Sequence, residues 1–557
     1  MTIQAKLLFD LIGPRSLARF DARCEHPLQE QEQLLRRLLH ENVDTEFGRR
    51  HRFDRIDSFP DFQKQVPVID YEDIEPLIDA ARHGEPHQLT REPPIFYALT
   101  SGTTGARKYI PVTETSRRAK ARLMRVWLSG LFRDHPGILN GGVLQIASPE
   151  VEEYAPDGTP CGAEAGHAYR NMPKLMKGLY PVPYEVCEIR DYEARYYALL
   201  RLAIVHSITA IGTPNPSTIL LLARCMGDYT ERLVRDVRDG TLDPDVNIPS
   251  EIRDLLESTI VPDPERAAFL EGAASGGDGR LVPRHVWPEL EVLACWKGGT
   301  VGPYLDQLGP CFPDGLPIRD LGWLSSECRG SVPLGDEGGR GPLAVATNIY
   351  EFLPADQDPE PPPAELLTVD QVEEGGQYYV YVSTSGGLFR YAMHDILEVT
   401  GFHRQTPSVR FVQKGKGIVS FTGEKLTETQ VLEAVEETLG TGRGEYSFVA
   451  AVGQPTEPSY LFLIEFETPP DRSEATRIVN ELEQSLTRHN VEYAAKRGSG
   501  RLGPPVLRVL EPGQFDAYQR EALREGAPDG QFKIMRLTDD AAFADHFDRV
   551  VGDYRAA

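Results

Sequence analysis

The chain has 557 residues, 40% of them hydrophobic, and a formal net charge of -25 at pH 7. This length is too great for one compact core and predicts a large domain plus a smaller one. The acidic charge argues against general binding to nucleic acid or to an anionic membrane, so any polyanionic ligand must be met by a local basic site.

The first twenty residues, "MTIQAKLLFDLIGPRSLARF", contain an apolar stretch that Asp10 and Pro14 interrupt. The pattern predicts a short helix and not a secretory signal. No apolar run approaches the roughly 18 residues of a membrane span. Seven scattered cysteines without CxxC spacing indicate reduced, buried thiols. We therefore expect a cytoplasmic protein with no membrane partner and no nucleic-acid partner, whose oligomeric state the sequence leaves open.

The next segments along the chain alternate helical patterns with loops. Residues 26–45 are helical in pattern, and the stretch "YALTSGTTGARKYIP" at 97–111 combines glycines, hydroxyl residues and a basic pair. The apolar spacing of Leu123, Val126, Trp127 and Leu131 then predicts a helix over 116–132.

The glycine-rich stretch at 97–111 does not match two well-known catalytic loops. A P-loop requires GxxxxGK[ST], whereas Gly102, Gly105 and Lys108 are three residues apart. A nucleophile elbow requires GxSxG, which does not occur here. Two interpretations remain open on these residues alone: a turn whose backbone N–H groups wrap phosphate oxygens, or an ordinary surface turn.

The C-terminal part of the chain reads as strands and helices of a second domain. "QYYVYVSTSGGLFRY" predicts strands joined by a glycine turn, and a helix is expected to begin with a cap near Thr427. Strands follow at "YSFVAAVG" and "YLFLIEFE", and a helix from about 472 to 489. We place the domain boundary near Ser420, which gives a large domain at 1–420 and a small domain at 421–557.

Nine short motifs then occur in one order along most of the chain. They are "TEFGRRHRFDRI", "VPVIDYEDIEPLI", "YALTSGTTGARKYIPVT", "WPEL", "LSSEC", "YEFLP", "GLFRYAMHDILEVTGF", "GEKL" and "QFKIMR". This series resembles the auxin-responsive acyl-acid amido synthetases, the GH-three family of adenylate-forming enzymes. The resemblance implies an α/β fold: a large N-terminal adenylation domain of mixed sheets, helices and a small barrel, and a small mobile α+β C-terminal domain.

The resemblance also implies the reaction. A carboxylic acid attacks the α-phosphate of ATP in the presence of Mg²⁺, giving an acyl-adenylate and pyrophosphate, and an amine, usually an amino acid, then takes the acyl group. The loop residues would bind the phosphates through hydroxyls and close backbone approach, with Lys108 adding charge. These residues are Thr100, Ser101, Gly102, Thr103, Thr104 and Gly105.

"LSSEC" resembles the second family motif beside the nucleotide. It implies that Ser325 and Ser326 contact the adenylate and that Glu327 is a Mg²⁺ ligand, although Ser-Ser-Glu is also a common helix start. In "YEFLP", Tyr350 is expected either to pack on the adenine or to be a strand aromatic residue in the core. In "GLFRYAMHDILEVTGF", Asp395 keeps the position that binds the ribose hydroxyls.

The last two motifs imply roles for lysines of the small domain. Lys425 in "GEKL" is expected at or near a hinge, and Lys533 in "QFKIMR" is expected to reach the phosphates during adenylation. The family motif has an arginine where this chain has Ala392, and Arg390, Lys414 or Lys416 are the candidates to replace it.

The helix at 116–132 is expected, by resemblance, to line the acid pocket. Arg122 or Arg125 would pair with an acidic substrate and Trp127 would form an apolar wall, unless these are solvated and core residues. The acyl acid and the amine remain unidentified at this stage. An acyl-CoA or carrier-protein ligase, or a non-catalytic nucleotide-binding relative, are the alternatives to an amido synthetase.

Overall fold

A computed structural model describes residues 3–101, 107–298, 302–359, 363, 365–415, 418–419, 424, 426–440, 446–454, 458–498, 502–524 and 534–556. The chain divides into two compact units, the first made mainly of residues up to Phe411 and the second mainly of residues from Val412 onward. Ser420, where the sequence places the domain boundary, lies outside the described residues. The division into 1–420 and 421–557 stays a prediction.

The part of the chain before Phe411 is rich in helices. They are α1 (Ile3–Cys24), α2 (Pro27–Asn42), α3 (Glu46–Arg50), α4 (Phe59–Gln65), α5 (Tyr71–Arg82), α6 (Glu114–Asp134), α7 (Glu164–Arg170), α8 (Lys174–Lys177), α9 (Tyr192–Ala203), α10 (Pro216–Asp228), α11 (Thr230–Asp239), α12 (Ser250–Glu257), α13 (Pro264–Ser275), α14 (Pro283–Val286) and α15 (Gly302–Leu308).

The strands up to the unit boundary are β1 (Pro94–Ser101), β2 (Arg107–Thr113), β3 (Gly142–Gln145), β4 (Glu153–Tyr154), β5 (Pro160–Gly162), β6 (Ile208–Gly212), β7 (Val292–Ala294), β8 (Ile318–Arg319), β9 (Arg340–Pro342), β10 (Ile349–Pro354), β11 (Gln377–Ser383), β12 (Tyr391–His403) and β13 (Thr406–Lys414). They form three sheets, with strand orders β2-β1-β5-β4, β3-β6-β7-β8 and β10-β11-β12-β13-β9. The β3-β6-β7-β8 sheet is parallel.

A buried ion pair fixes the sheet that contains β10 and β12. Arg390, just before β12, contacts the carboxylate of Glu351 on β10 at 3.0 Å, and each residue is 1% exposed. The guanidinium also donates to the backbone carbonyls of Gln63 and Val66, at 2.8 and 2.7 Å. The backbone of Arg390 has a φ of 50°, which residues other than glycine rarely adopt. The hydrogen bonds of its side chain therefore hold an unfavourable backbone conformation. This arginine therefore has a structural partner of its own and is not a surface cation.

The second unit contains a five-stranded sheet covered by helices. Its elements are β14 (Ile418–Val419), β15 (Leu426–Thr427), α16 (Glu428–Leu439), β16 (Tyr446–Gln454), β17 (Ser459–Phe466), α17 (Arg472–His489), α18 (Val491–Gly498), β18 (Val506–Leu510), α19 (Gln514–Arg524), β19 (Leu537–Thr538) and β20 (Val550–Arg555). The sheet order is β19-β16-β17-β18-β20. Glu424 is fully buried in this unit and accepts a 2.6 Å bond from the Tyr460 hydroxyl, which anchors the segment before α16.

The predicted α/β fold class is confirmed, as are the helices at 116–132 and 472–489 and the cap at Thr427, whose side chain accepts from the Gln430 N–H. The predicted short first helix is wrong in length. Helix α1 runs through Pro14, because packing against α6 offsets the backbone bond that a proline removes.

All seven cysteines are free, and six of them are buried, as the sequence predicts. Burial raises the pKa of Cys24 to about 12 and that of Cys161 to about 11, so these thiols carry little thiolate at neutral pH. Within the described part of the chain, no helix is both long enough and apolar enough to cross a bilayer. The cytoplasmic location stays a prediction.

Candidate functional site

The Ser-Ser-Glu motif lies at the tip of a tight hairpin, residues 323–331, which we call the Ser-Ser-Glu hairpin. Leu324 and Arg329 form an antiparallel bridge, and the Ser325 N–H donates to the Cys328 carbonyl at 2.8 Å. Ser326 and Glu327 therefore occupy the turn itself. No helix begins at this described segment, so the helix-start alternative is wrong.

Alternation along the hairpin gives it two faces. Leu324 and Arg329 share one face, whereas Trp323 and Gly330, one position further from the turn, share the other. Gly330 is required here because a Cβ atom would lie 2.0 Å from the Trp323 ring. The hairpin can thus contact different elements on its two sides.

The Trp323 face of the hairpin docks onto β10 and β12. The Trp323 indole N–H donates to a carboxylate oxygen of Asp395 at 2.7 Å, and Asp395 is 3% exposed. The Tyr350 hydroxyl donates to the Gly330 carbonyl at 2.8 Å and accepts from Asn348 at 3.0 Å. Three motifs that are distant in sequence, those of Ser325, Tyr350 and Asp395, are therefore brought together.

Tyr350 is fully buried, and the Trp323 and Tyr350 ring centroids are 6.2 Å apart. These contacts are those of a buried core residue that packs against the hairpin. They agree with the second role that the sequence left open, that of a strand aromatic residue in the core. Contact of Tyr350 with the adenine stays a prediction.

The other face of the hairpin meets α6. Lys120, Met124 and Trp127 follow the i, i+4, i+7 spacing and so form one row along this helix. The Lys120 ammonium donates to the Ser326 carbonyl at 2.7 Å and is 2.7 Å from the Glu164 carboxylate. The Trp127 indole N–H donates to the Asp320 carbonyl at 2.8 Å. Helix α6 thus holds the turn that carries Ser326 and Glu327.

Lys108 lies on β2, directly opposite Thr100 of β1 in the antiparallel register. Its ammonium is 3.7 Å from the Glu72 carboxylate and 5.0 Å from the centroid of the Tyr71 ring. Both of these residues belong to the first turn of α5. The start of α5 is therefore next to the base of the glycine-rich loop.

The Ser-Ser-Glu turn acts electrostatically on the same region. Burial raises the pKa of Tyr391, at the start of β12, and the carboxylates of Glu327 and Asp70 raise it further. Asp70 immediately precedes α5 and bonds the ring of His394. Glu327 at the hairpin tip and Asp70 before α5 therefore both lie within electrostatic range of Tyr391.

Several of the predicted site residues lie outside the described residues. These are Gly102, Thr103, Thr104, Gly105, Lys425 and Lys533. Thr100 and Ser101 are the last two residues of β1. The roles given to these residues stay predictions.

Arg122 and Arg125 are exposed on α6, on a row that faces away from Lys120, Met124 and Trp127. Of the three residues expected to line the acid pocket, Trp127 alone lies on the side of α6 that meets the hairpin.

Trp323, Lys120 and Arg329 are not among the site residues that the sequence motifs predict. Trp323 and Arg329 flank the "LSSEC" motif directly, so their proximity in sequence was an available signal. Lys120 lies four residues before Met124 on a helix already expected to line the site, but its long-range contact with Ser326 has no sequence signature.

Mg²⁺ prefers oxygen ligands and commonly uses one or two carboxylates together with substrate phosphates. Glu327 is half-buried at the tip of the hairpin and fits the single-carboxylate part of this donor set. Among the residues that the structure describes, no group of three or more His, Cys, Asp or Glu side chains is placed to hold a metal ion. A metal here would rely on nucleotide phosphates and water for its other ligands.

If Asp395 binds the ribose as the sequence predicts, Asp395→Asn should weaken ATP binding roughly tenfold, because it removes the charge of the carboxylate but keeps an acceptor for Trp323. Asp395→Ala should weaken binding roughly ten- to a hundredfold and also lower the free energy of unfolding by about 1–3 kcal/mol, since the Trp323 N–H loses its acceptor. Calorimetric titration with ATP and thermal unfolding measure the two effects. Unchanged ATP affinity in a folded Asp395→Asn protein would show that the aspartate has only the structural role.

The chain matches three family profiles in order. The "GH3 family N-terminal domain" matches residues 16–318, the "GH3 family central domain" matches residues 341–414 and the "GH3 family C-terminal domain" matches residues 429–542. Together they cover most of the chain.

Curated relatives align over nearly their full length. The chain is 27% identical to the indole-3-acetic acid-amido synthetase GH3.8 of Oryza sativa subsp. indica, with 93% of this chain and 91% of the relative covered. It is 26% identical to the indole-3-acetic acid-amido synthetase GH3.5 of Arabidopsis thaliana, over 98% and 95%. A solved structure of GH3.15 acyl acid amido synthetase superposes with a TM-score of 0.86 at 22% identity, covering 97% of each chain, and so has the same fold.

Proposed function

This chain belongs to the GH3 family, and from this premise we propose that it is an ATP-dependent acyl acid amido synthetase. It activates a carboxylic acid as an acyl-adenylate and transfers the acyl group to an amine. Amino acids are the first amines to test. The observation that carries the proposal is the match of all three family domains, in order, to residues 16–318, 341–414 and 429–542. The enzyme is accordingly a ligase that forms a C–N bond.

The first half-reaction requires positioning and charge stabilisation, because the substrate carboxylate is itself the nucleophile. The glycine-rich loop and Lys108 would hold the phosphates, while Asp395 would accept hydrogen bonds from the ribose hydroxyls. The bond from Trp323 to Asp395 supports this role, since it fixes the carboxylate that must grip two hydroxyls. Ser325 and Ser326 would then contact the adenylate from the hairpin.

Glu327 is the residue that we propose to hold Mg²⁺, which neutralises phosphate charge when it is bound. Lys120 and Glu164 position this glutamate indirectly, because the Lys120 ammonium bonds the carbonyl of the neighbouring Ser326. An accurately held turn is needed because a displacement of about 1 Å can cost a hundredfold in rate.

The second half-reaction needs the acyl group to be exposed to the amine after pyrophosphate leaves. We propose that the small domain, 421–557, alternates between two poses about a hinge near Lys425, and that Lys533 approaches the phosphates in the adenylating pose. The Glu424–Tyr460 bond supports a firm attachment of the segment beside Lys425 to the second unit.

Product analysis tests the proposed function. We expect carboxylate-dependent cleavage of ATP to AMP and pyrophosphate, followed by amide formation when an amino acid is supplied. The measurement is chromatography of the nucleotides, with an acid screen of aryl, indolyl and aliphatic carboxylates in pyrophosphate exchange. ADP and inorganic phosphate as products would contradict adenylation, and a thioester with coenzyme A but no amide would identify a CoA ligase.

A further inference from the structure

Arg329 is a buried cation on the α6 side of the Ser-Ser-Glu hairpin. It is 6% exposed, and among the described residues no carboxylate lies within 4.0 Å of its guanidinium. One terminal nitrogen donates to the Leu321 carbonyl at 3.1 Å, and the other contacts the Met124 sulfur, a weak acceptor, at 3.8 Å. The Nε atom is buried with no hydrogen-bond partner in the described structure.

Such an arrangement is costly, because a buried charge without a hydrogen-bonded counter-ion loses its hydration without compensation. The cost is visible in the acid–base behaviour of the group, since burial lowers the pKa of Arg329 to about 10. The carboxylates of Asp320 and Glu164 oppose this shift only from a distance. A ligand anion would supply the missing partner.

Arg329 lies beside apolar side chains of α6. Its guanidinium carbon is 6.0 Å from the Trp127 ring centroid, and Met124 lies beside it on the same row of α6. Met124 is 38% exposed, so the row reaches solvent next to the arginine. An apolar surface with one convergent cation is typical of a site for an organic acid.

We propose that Arg329 binds a second carboxylate on the acyl acid, so that this enzyme acts on dicarboxylic acids. The proposal rests on the proposed function and identifies its substrate class. Arg329 and Trp323 lie on opposite faces of the hairpin, so the nucleotide side at Asp395 and the acid side at α6 are distinct. An arginine can bind a carboxylate through two parallel N–H donors, which fixes the orientation of the acid.

The carboxylate that reacts is a poorer partner for this arginine. Its oxygens lose their negative charge when the mixed anhydride of the acyl-adenylate forms, which would remove the anionic partner of the guanidinium. Pairing it in the ground state would also stabilise the nucleophile more than the transition state. A second carboxylate keeps its charge through both half-reactions, so its ion pair with Arg329 persists.

The test compares matched acids in pyrophosphate exchange with the full-length protein: glutarate against pentanoate, and isophthalate against benzoate. We expect the wild type to prefer the dicarboxylates. Arg329→Met should lower kcat/KM for the dicarboxylates roughly ten- to a hundredfold, mainly through KM, and leave the monocarboxylate constants unchanged. Arg329→Lys should restore part of the loss, whereas Arg118→Met, on the exposed row of α6, should change neither class of acid.

A wild-type preference for monocarboxylates, or an equal loss for both classes in Arg329→Met, would overturn the proposal while leaving the amido synthetase function standing. Loss of dicarboxylate use in Arg122→Met but not in Arg329→Met would overturn it too, in favour of the exposed arginine. If none of the acids supports pyrophosphate exchange, the proposed function is contradicted. In that case calorimetry with glutarate and isophthalate decides the Arg329 site separately: binding that Arg329→Met abolishes supports it, and absence of binding refutes it.

Discussion

Glu351→Ala is expected to lower the free energy of unfolding of the first unit by about 3–5 kcal/mol, the cost of removing one partner from a buried ion pair. The buried Arg390 guanidinium would lose its carboxylate partner and keep its bonds to the carbonyls of Gln63 and Val66. Gln63 would also lose its 2.9 Å bond to Glu351. This loss of stability measures the cost of leaving one buried charge without a partner. It does not measure the net contribution of the ion pair to stability.

Urea unfolding followed by tryptophan fluorescence measures this effect. The four tryptophans, Trp127, Trp287, Trp296 and Trp323, all precede Phe411, so their signal reports on the first unit. Glu32→Ala is the matched control because its pair with Arg36 is exposed on α2, where an i, i+4 pair contributes only about 0.2–0.5 kcal/mol. A cost for Glu351→Ala as small as that of the control would contradict the assignment.

A double replacement separates the charge from the packing. Glu351→Leu combined with Arg390→Met removes both charges and keeps apolar volume, so it should destabilise the protein less than Glu351→Ala alone. Recovery should be incomplete, because two backbone carbonyls lose the donors that Arg390 provides.

Lys533→Ala is expected to slow pyrophosphate exchange about 10²- to 10³-fold, since charge stabilisation at a transferring phosphate is typically worth about 3–4 kcal/mol. With a preformed acyl-adenylate, the same variant should form amide at close to the wild-type rate, because Lys533 is expected to lie away from the acyl group in that pose. Rapid-quench assays of the two half-reactions measure the difference.

Lys496→Ala is the control for charge removal, since Lys496 lies on α18 of the same unit and no role in either step is proposed for it. Equal losses in both half-reactions of Lys533→Ala would argue against alternation of the small domain. No loss in either would show that "QFKIMR" has been matched to the wrong role.

The sequence predicted secondary structure correctly where the interactions that form it join residues close together in the chain. Thr427 caps α16 as expected, because a threonine that accepts from the N–H three residues later needs no distant partner. The strands at 446–454 and 459–466 and the helix at 472–489 follow from apolar periodicity for the same reason. Pro14 led to the prediction of a short first helix, which was wrong because tertiary packing keeps α1 continuous.

By itself, the sequence determined the α/β class, the family and the order of the motifs, since each depends on residue identity and local spacing. The tertiary structure alone decided which motif residues meet. It pairs Glu351 with Arg390 in the core and brings Trp323 to Asp395. It also buries Arg329 beside Met124, with no carboxylate of the described residues within 4.0 Å of its guanidinium. These contacts join residues far apart in the chain, and their energies come from burial and from charge pairing, which no local pattern records.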